Sequence, residues 1–302
     1  MEKGCNLCPR NCFVDRAERK TGYCGQTDKI YVARAALHMW EEPCISGKEG
    51  SGTVFFCGCS LRCIFCQNHK IALGKEKSGE KIGKEVSINR LKDIFFELQK
   101  EGANNINLVT GTHYIPQIAE ALKLAKEKGL MIPVVYNTGG YEKTESLRLL
   151  EGLVDIYLPD MKYVSRKLSK DYSNAENYFE VASSALKEMV RQVGEPEFDG
   201  RGYLKKGVVV RHLVLPGTTK DSKAVLDYLW NTYGNKIYIS IMNQYTPMEQ
   251  MKNHPLLSRK VTKREYSKVV DYALSLGWEN GFIQEGETAK ESFIPGFNGT
   301  GV

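Results

Sequence analysis

Short apolar segments alternate with helix-like segments along most of this chain, and that alternation constrains the fold more than any other feature. Between the apolar segments, residues such as Ile88, Leu91, Ile94 and Phe95 recur at helical spacing, with Ser87 placed to cap a helix. The alternation predicts an α/β fold with a parallel sheet, which we interpret as a partial TIM-like (β/α)6 barrel. The six predicted strands cover residues 53–56, 106–109, 132–136, 154–158, 208–215 and 237–242.

Two segments fall outside this alternation. Residues 1–50 hold five of the nine cysteines and little of the barrel pattern, so we predict a small cysteine-rich cap. We assign residues 51–277 to the barrel and residues 278–302 to a C-terminal extension, whose last ten residues are rich in glycine.

Composition excludes several classes of protein. A chain of 302 residues with 42% hydrophobic side chains can bury one large core. No apolar run approaches the roughly 18 residues of a membrane helix, and the start lacks a signal peptide, so we expect a cytoplasmic protein without a membrane partner. The net charge of +6 is mild and shows no basic-aromatic patch, which argues against a nucleic-acid partner. Cytoplasmic cysteines stay reduced and favour metal over disulfides.

Three cysteines follow the first predicted strand in the spacing C-x3-C-x2-C, at Cys59, Cys63 and Cys66. Thiolates bind soft metals, and iron–sulfur clusters are usually held by four of them. Three at this spacing can hold three irons of a 4Fe–4S cluster and leave the fourth iron open to a ligand. The alternative is a zinc knuckle with a stray thiol, although zinc usually takes four ligands at paired short spacings.

A second set of cysteines lies in the predicted cap. A segment this short buries little core of its own, so a metal is the expected organiser. Zinc and an auxiliary iron–sulfur cluster both suit four thiolates, and unligated thiols are the third alternative. The set consists of Cys5, Cys8, Cys12 and Cys24.

Polar and glycine-containing segments follow the predicted strands. In such barrels the chemistry collects at the carboxyl ends of the strands, so we expect a site there. For any one segment, ordinary turn chemistry is the alternative explanation. The segments are 110–113, 137–140, 160–162, 211–217 and 243–245.

The cysteine motif, with Phe65 just before its last cysteine, resembles the radical S-adenosylmethionine (SAM) superfamily. Together with Asn-Thr-Gly-Gly at 137–140, Asp-x-Lys at 160–162 and Arg211 shortly before Val-Leu-Pro-Gly, it resembles the activating enzymes of glycyl radical enzymes, such as pyruvate formate-lyase activating enzyme. Nearly the whole chain resembles an uncharacterised family related to that enzyme. The cues are Cys-Pro-Arg-Asn-Cys at 8–12, the segment 38–47 and Gln-Tyr-Thr-Pro at 244–247.

The resemblance implies roles for the residues of the cysteine loop and of the second strand's end. Cys59, Cys63 and Cys66 would hold the cluster, whose open iron chelates the amino and carboxylate groups of SAM. Phe65 would lie against the adenine. The turn of Thr110, Gly111 and Thr112 stands where the family has a Gly-Gly-Glu turn that meets the SAM amino group, and it carries no carboxylate.

Further roles follow for the later strand ends. Asn137 and Thr138 stand where activating enzymes have an Asp-Thr pair, which with the equivalent of Asp160 binds a monovalent cation; Asn in place of Asp removes a hard anionic ligand. Arg211 would pair with the SAM carboxylate, with a structural ion pair as the alternative. We also predict Gln244 as a cofactor-binding residue and Lys162 and Tyr245 as catalytic residues.

The resemblance therefore implies an enzyme that cleaves SAM reductively to a 5′-deoxyadenosyl radical for hydrogen abstraction. Its electron donor would be a flavodoxin or a ferredoxin. The most specific version installs a glycyl radical on a partner protein, although activating enzymes with extra clusters carry their cysteines after the SAM motif. The alternatives are modification of a peptide, RNA or metabolite, and a non-enzymatic metal scaffold or redox sensor. A metabolite would need a closed pocket of roughly 300–1,000 Å³, and a glycyl loop a wide groove.

Overall fold

A ten-stranded mixed sheet with parallel central strands carries the fold. The structure is a computed structural model that describes residues 4–74, 80–284 and 295–302. The strands are β1 (Ile30–His38), β2 (Ser51–Phe56), β3 (Lys84–Val86), β4 (Ile106–Val109), β5 (Val134–Thr138), β6 (Ile156–Pro159), β7 (Glu197–Phe198), β8 (Leu204–Leu213), β9 (Tyr238–Met242) and β10 (Gly281–Ile283).

Helices follow most of the parallel strands. Ser87 caps the third helix as predicted, because its side chain accepts a hydrogen bond from the backbone N–H of Arg90. The α-helices are α1 (Pro43–Ser46), α2 (His69–Leu73), α3 (Ile88–Lys100), α4 (Ile115–Glu127), α5 (Thr144–Leu147), α6 (Arg166–Ser173), α7 (Tyr178–Val193), α8 (Thr219–Tyr233) and α9 (Lys263–Leu276). Short 3-10 helices cover Thr112–Tyr114, Arg148–Leu150, Gly234–Lys236 and Glu249–Met251.

The order of the strands confirms the predicted partial barrel. The six predicted strands correspond to β2, β4, β5, β6, β8 and β9, and each pairs in parallel with the next one in this sequence. The full order is β10-β9-β8-β6-β5-β4-β2-β1-β3, and within the described residues the sheet does not close between β10 and β3. A barrel left open in this way gives access to its interior from the side.

Strand β1 is an addition that the apolar pattern did not predict. It pairs antiparallel with β2 and with β3, so the sheet begins inside the segment predicted as the cap. Its sequence, Ile-Tyr-Val-Ala-Arg-Ala-Ala-Leu-His, mixes small and charged residues with apolar ones, and such an edge strand gives a weak signal. The division into cap, barrel and extension stays a prediction, and residues 1–3 and 285–294 lie outside the described part.

Helix α1 seals one end of the barrel. Since β1 runs antiparallel to β2, with His38 opposite Ser51, the segment after β1 enters at the amino ends of the parallel strands. Cys44 and Ile45 of α1 then pack against inward-facing residues of β5, β6 and β8, in a cluster separate from the main core. The barrel therefore has an apolar plug at its amino end.

The C-terminal segment runs along β1. The N–H of Ala35 donates to the carbonyl of Thr300 over 2.9 Å, and the N–H of Gly299 donates to Ala33 over 3.0 Å. Phe297 packs edge-on against Phe55 of β2, with ring centroids 5.4 Å apart. Among the described helices, none is both long and apolar enough to span a membrane.

Candidate active site

The three cysteines of the C-x3-C-x2-C motif lie together on the loop that leaves β2. Burial and the neighbouring thiols raise the pKa of Cys66 to about 12, with contributions from Cys63 and Cys59. The N–H of Leu61 donates to Sγ of Cys59 over 3.3 Å, and the hydroxyl of Ser173 donates to Sγ of Cys63 over 2.9 Å. Buried thiolates this close together need a positive partner to stay ionised, and a metal centre supplies one.

The donor set of this loop, three thiols around a common cavity, fits a cluster. Within the described ranges, no three His, Cys, Asp or Glu side chains are arranged to hold one metal ion. In a cluster each cysteine binds a different iron, so the sulfurs stand farther apart than they would around a single ion. All three thiols are free and line a common cavity. The assignment of the cluster to Cys59, Cys63 and Cys66 stays a prediction.

A cavity of about 170 Å³ brings most of the predicted site residues together. Its walls are the cysteine loop and the carboxyl ends of β4, β5, β6 and β8, as expected for a barrel of this kind. The predicted residues that line it are Cys59, Cys63, Cys66, Thr110, Thr112, Asn137, Thr138, Asp160, Lys162 and Arg211.

The other predicted residues lie apart from this cavity. Phe65 and Gln244 line a second, larger cavity of about 580 Å³ inside the barrel. Gly111 faces α4, where an added Cβ would lie 2.5 Å from Cδ1 of Ile118. Tyr245 is buried, and its hydroxyl donates to the carbonyl of Leu257 over 2.5 Å. Neither Gly111 nor Tyr245 lines these two cavities, so their roles in SAM binding and in catalysis stay predictions.

Arg211 is the centre of a buried charge network. Its guanidinium donates to Asp160 over 3.2 Å, to Glu41 over 3.1 Å and to the side-chain oxygen of Asn137 over 2.6 Å. Lys162 donates to the other carboxylate oxygen of Asp160 over 2.5 Å. Although burial opposes it, these two cations hold the pKa of Asp160 below its ordinary value. Arg211 thus forms an internal ion pair here, and its predicted contact with the SAM carboxylate stays a prediction.

The carboxylate of Glu142 lies beside the turn at 110–112, which has no carboxylate of its own. Glu142 accepts hydrogen bonds from the hydroxyl of Thr112, over 2.6 Å, and from the hydroxyl of Thr138. Burial raises the pKa of Glu142 to about 7, while the two hydroxyl donors act in the opposite direction. A hydroxyl that donates to Glu142 can still accept from a ligand in the cavity, although Thr138 already accepts from the N–H of Gly140 over 3.3 Å. Thr110, in the same turn, has a strained backbone with φ of 61°.

The cap cysteines form a second group beside the cysteine loop. The charges of Cys12 and Cys24 act on Cys8, whose pKa is raised to about 12 mainly by burial. The N–H of Tyr23 donates to Sγ of Cys12 over 3.2 Å, and an added Cβ at Gly22 would lie 2.8 Å from the same sulfur. The thiols thus lie close together, but in the described structure they are not arranged around a single ion. A metal at Cys5, Cys8, Cys12 and Cys24 stays a prediction.

Sequence reasoning missed three acidic residues of the site. Glu41 and Glu42 stand in Trp-Glu-Glu-Pro, a segment that carried the family resemblance, and Glu142 follows Asn-Thr-Gly-Gly by one residue. Adjacent acidic residues before a proline, and an acidic residue just past a strand end, are signals that could have drawn attention to them. The positions of Glu41 and Glu42 inside the barrel depend on β1, which the sequence did not reveal.

The comparisons with known proteins agree with this geometry. A family model described as the radical SAM superfamily matches residues 53–229. The chain therefore belongs to the radical SAM superfamily, and the predictions of the family and of an enzyme that uses SAM and a 4Fe–4S cluster are confirmed. The chain is also 28% identical, over 274 residues, to an uncharacterised protein of Methanocaldococcus jannaschii. The aligned region covers 90% of this chain and 74% of that protein.

Solved structures align with this chain at low identity. Methylornithine synthase superposes with a TM-score of 0.50 at 12% identity, over 74% of this chain and 63% of its own. Streptococcus suis SuiB bound to the precursor peptide SuiA gives 0.49 at 15% identity, over 76% of this chain but only 46% of its own. A domain of pyruvate-formate lyase-activating enzyme from Bacteroides vulgatus gives 0.40 at 12% identity, over 57% of this chain and 92% of its own. This chain thus spans about half of SuiB and under two thirds of methylornithine synthase.

Proposed function

We propose that this enzyme holds its 4Fe–4S cluster on Cys59, Cys63 and Cys66 and binds SAM at the carboxyl ends of the parallel strands. The observation that supports this most is the common cavity of the three thiols and the strand-end side chains. When bound, a reduced cluster supplies the electron that cleaves SAM into methionine and a 5′-deoxyadenosyl radical. We infer that a flavodoxin or ferredoxin delivers this electron.

The residues of the chain position SAM and its surroundings. Thr112 and Thr138, held by Glu142, offer oxygen acceptors to the ammonium group of SAM. Arg211 donates one N–H from each of its three guanidinium nitrogens to Asp160, Glu41 and Asn137, so two N–H groups are left to pair with the carboxylate of SAM. Asp160 and Asn137 supply the oxygen atoms with which a monovalent cation would bind. Phe65 offers an aromatic face for the adenine.

The radical then acts on a small molecule held inside the barrel. The larger cavity has a volume of about 580 Å³, within the range of roughly 300–1,000 Å³ that is usual for small-molecule pockets. SAM would take the part beside Phe65 and Arg211, and the part towards α1 would be left for the substrate. Residues before and within α1 line one end of it, and Pro295 of the C-terminal segment and the cysteine loop also line it. Such a pocket suits hydrogen abstraction from a metabolite.

Activation of a glycyl radical enzyme is the second candidate. A groove of about 1090 Å³ runs past Cys63 and Cys66 and is lined by the loop after β9 and by residues 295–297. Its volume is enough for a segment of extended backbone from a partner protein. The cavity of about 580 Å³ inside the barrel favours the first candidate, because it lies between the cysteine loop and helix α1.

The proposal predicts the outcome of removing the cluster ligands. Changing Cys59, Cys63 and Cys66 together to Ala should lower bound iron by about four atoms per chain and abolish formation of 5′-deoxyadenosine from SAM with dithionite. Anaerobic reconstitution followed by iron analysis and chromatography measures both. Cys57→Ala is the matched control, since its thiol donates to the carbonyl of Ile82 and lies outside the set. SAM cleavage by the triple variant would contradict the assignment.

A further inference from the structure

The floor of the barrel cavity carries a buried acidic residue that the proposed cofactor chemistry does not use. Glu42 is 8% exposed, it lines the cavity, and its Oε2 atom has no hydrogen-bond partner among the residues that the structure describes. A buried polar atom without a partner is costly, and in native proteins it usually marks a site that something else completes. Glu42 is also the residue before α1, at the end of the cavity opposite the cysteine loop.

Acidic side chains outnumber cationic ones around this cavity. Among the described residues, Glu41, Glu42 and Asp160 line it together with the cationic side chains of Lys162 and Arg211. Lys162 pairs with Asp160, and Arg211 donates to Asp160 and to Glu41. His38 also lines the cavity, but burial lowers its pKa, so its ring is neutral near pH 7.

Among the described residues, Glu42 forms no ion pair of its own. The charge of Arg211 acts on Glu42, but the three side-chain hydrogen bonds of that guanidinium go to Asp160, Glu41 and Asn137. The hydroxyl of Ser240 lies beside Glu42 and stabilises its ionised form, but burial and the charge of Glu41 raise the pKa of Glu42. A ligand with a positive charge and N–H donors would satisfy Oε2 and favour the ionised form of Glu42 against the effect of burial.

We infer that Glu42 binds the ammonium group of a small amine substrate at the floor of the barrel cavity. This inference rests on the proposed function, because it names the substrate class of the same pocket. The ammonium end would lie at Glu42, and the remainder of the amine would extend towards the end of the cavity lined by Phe65 and Cys66, where SAM would lie. The carbon–hydrogen bonds far from the amine would then lie nearest to the bound SAM.

Calorimetric titration of the full chain with n-butylammonium tests the inference. The reconstituted protein is titrated with n-butylammonium chloride, n-butanol and sodium butyrate, each with and without saturating SAM. The alcohol would replace a charge-assisted hydrogen bond to Glu42 with a weaker one, and the carboxylate would bring a second negative charge beside Glu42. We therefore expect the ammonium ion to bind at least about tenfold more tightly than either of them. Equal binding of the three, or no binding of the ammonium ion, would overturn the inference.

Two variants locate the binding site. Glu42→Gln keeps the shape of the side chain and removes its charge, and it should weaken n-butylammonium binding by roughly tenfold or more. Glu120→Gln removes a carboxylate from the exposed face of α4 and should leave the affinity unchanged. Unchanged affinity in Glu42→Gln, or loss of amine binding when SAM is saturating, would place the amine elsewhere.

The measurement is independent of the proposed reaction. Ammonium binding needs no cleavage of SAM, so the inference can fail while 5′-deoxyadenosine is formed, and it can hold while none is formed. The preference among the three ligands is measured on the wild-type chain, so it remains decisive even if Glu42→Gln does not fold.

Discussion

At the scale of single residues, Glu142 shows how a side chain from one strand end completes the turn of another. The turn at 110–112 has no carboxylate of its own, and Glu142, which follows β5, reaches the hydroxyls of Thr112 and Thr138. A buried carboxylate with hydroxyl donors fixes which way those hydroxyl hydrogens point. The same burial makes Glu142 a titrating group near neutral pH.

The raised pKa of Glu142 predicts a pH dependence of stability. The pKa lies at about 7 in the folded chain against an ordinary 4.5, so between these values the folded state holds a proton that the unfolded state has released. The free energy of unfolding from this group therefore falls as pH rises through that window, by up to about 3 kcal/mol. The side chain in Glu142→Gln cannot titrate, so this variant should not lose that part of the free energy of unfolding. Urea unfolding at about pH 4.5 and about pH 7.5 measures the difference.

The exposed Glu120 supplies the control for this experiment. Glu120→Gln should keep the wild-type dependence on pH. If Glu142→Gln loses as much stability as the wild type between the two pH values, another group is responsible.

At the scale of elements, the C-terminal segment depends on one glycine. Gly301 has φ of 73°, and an added Cβ would lie 2.0 Å from the carbonyl oxygen of Ala35 in β1. That oxygen belongs to the backbone, so it cannot move aside as the end of a flexible side chain could. The adjacent residue, Thr300, accepts the hydrogen bond from the N–H of Ala35.

Gly301→Ala should therefore displace the segment from β1. The Ala35 amide would lose its acceptor, and we expect its hydrogen exchange to accelerate by roughly tenfold or more, because the local opening no longer breaks a hydrogen bond. Exchange followed by NMR or mass spectrometry measures the effect. Gly296→Ala is the matched control, since an added Cβ there meets nothing within 4 Å. Equal exchange in the two variants would contradict this account.

At the scale of the whole molecule, the cap and the cysteine loop are joined directly. The guanidinium of Arg10 donates to the carbonyl of Ser60 over 2.7 Å and lies 4.0 Å above the ring of Tyr23. An added Cβ at Gly58 would lie 2.7 Å from the carbonyl oxygen of Cys24. The two cysteine sets therefore belong to one packed unit, and a metal in the cap would lie close to the SAM cluster.

We expect the cap to bind metal independently of the SAM cluster. In the variant with Cys59, Cys63 and Cys66 changed to Ala, metal should remain bound, because four thiolates on a segment with little core need an organising ion. One zinc per chain would favour a structural site, and residual iron with sulfide would favour an electron relay. Replacing Cys5, Cys8, Cys12 and Cys24 as well should remove that metal. A folded triple variant that binds neither zinc nor iron would contradict the prediction.

The sequence by itself determined the parallel strands and the cluster motif. Apolar runs and helical spacing are local signals, so the six strands β2, β4, β5, β6, β8 and β9 were predicted in their observed order. The cysteine motif is local too, since its ligands lie within eight residues of chain. Because parallel strands present their carboxyl ends at one rim, the sequence also placed Thr112, Asp160 and Arg211 at a common site.

Only the tertiary structure decided which charges meet inside the barrel. Glu41 contacts Arg211 across 170 positions of sequence, and it does so because β1 runs antiparallel and delivers the following segment to the amino end of the barrel. The antiparallel course of β1 also places Glu42 there, where its Oε2 atom has no hydrogen-bond partner among the described residues. Burial and ion pairing depend on what packs from every side, and a linear pattern carries information only about near neighbours. The cysteine motif could therefore be recognised in the sequence, whereas the positions of Glu41 and Glu42 in the cavity could not.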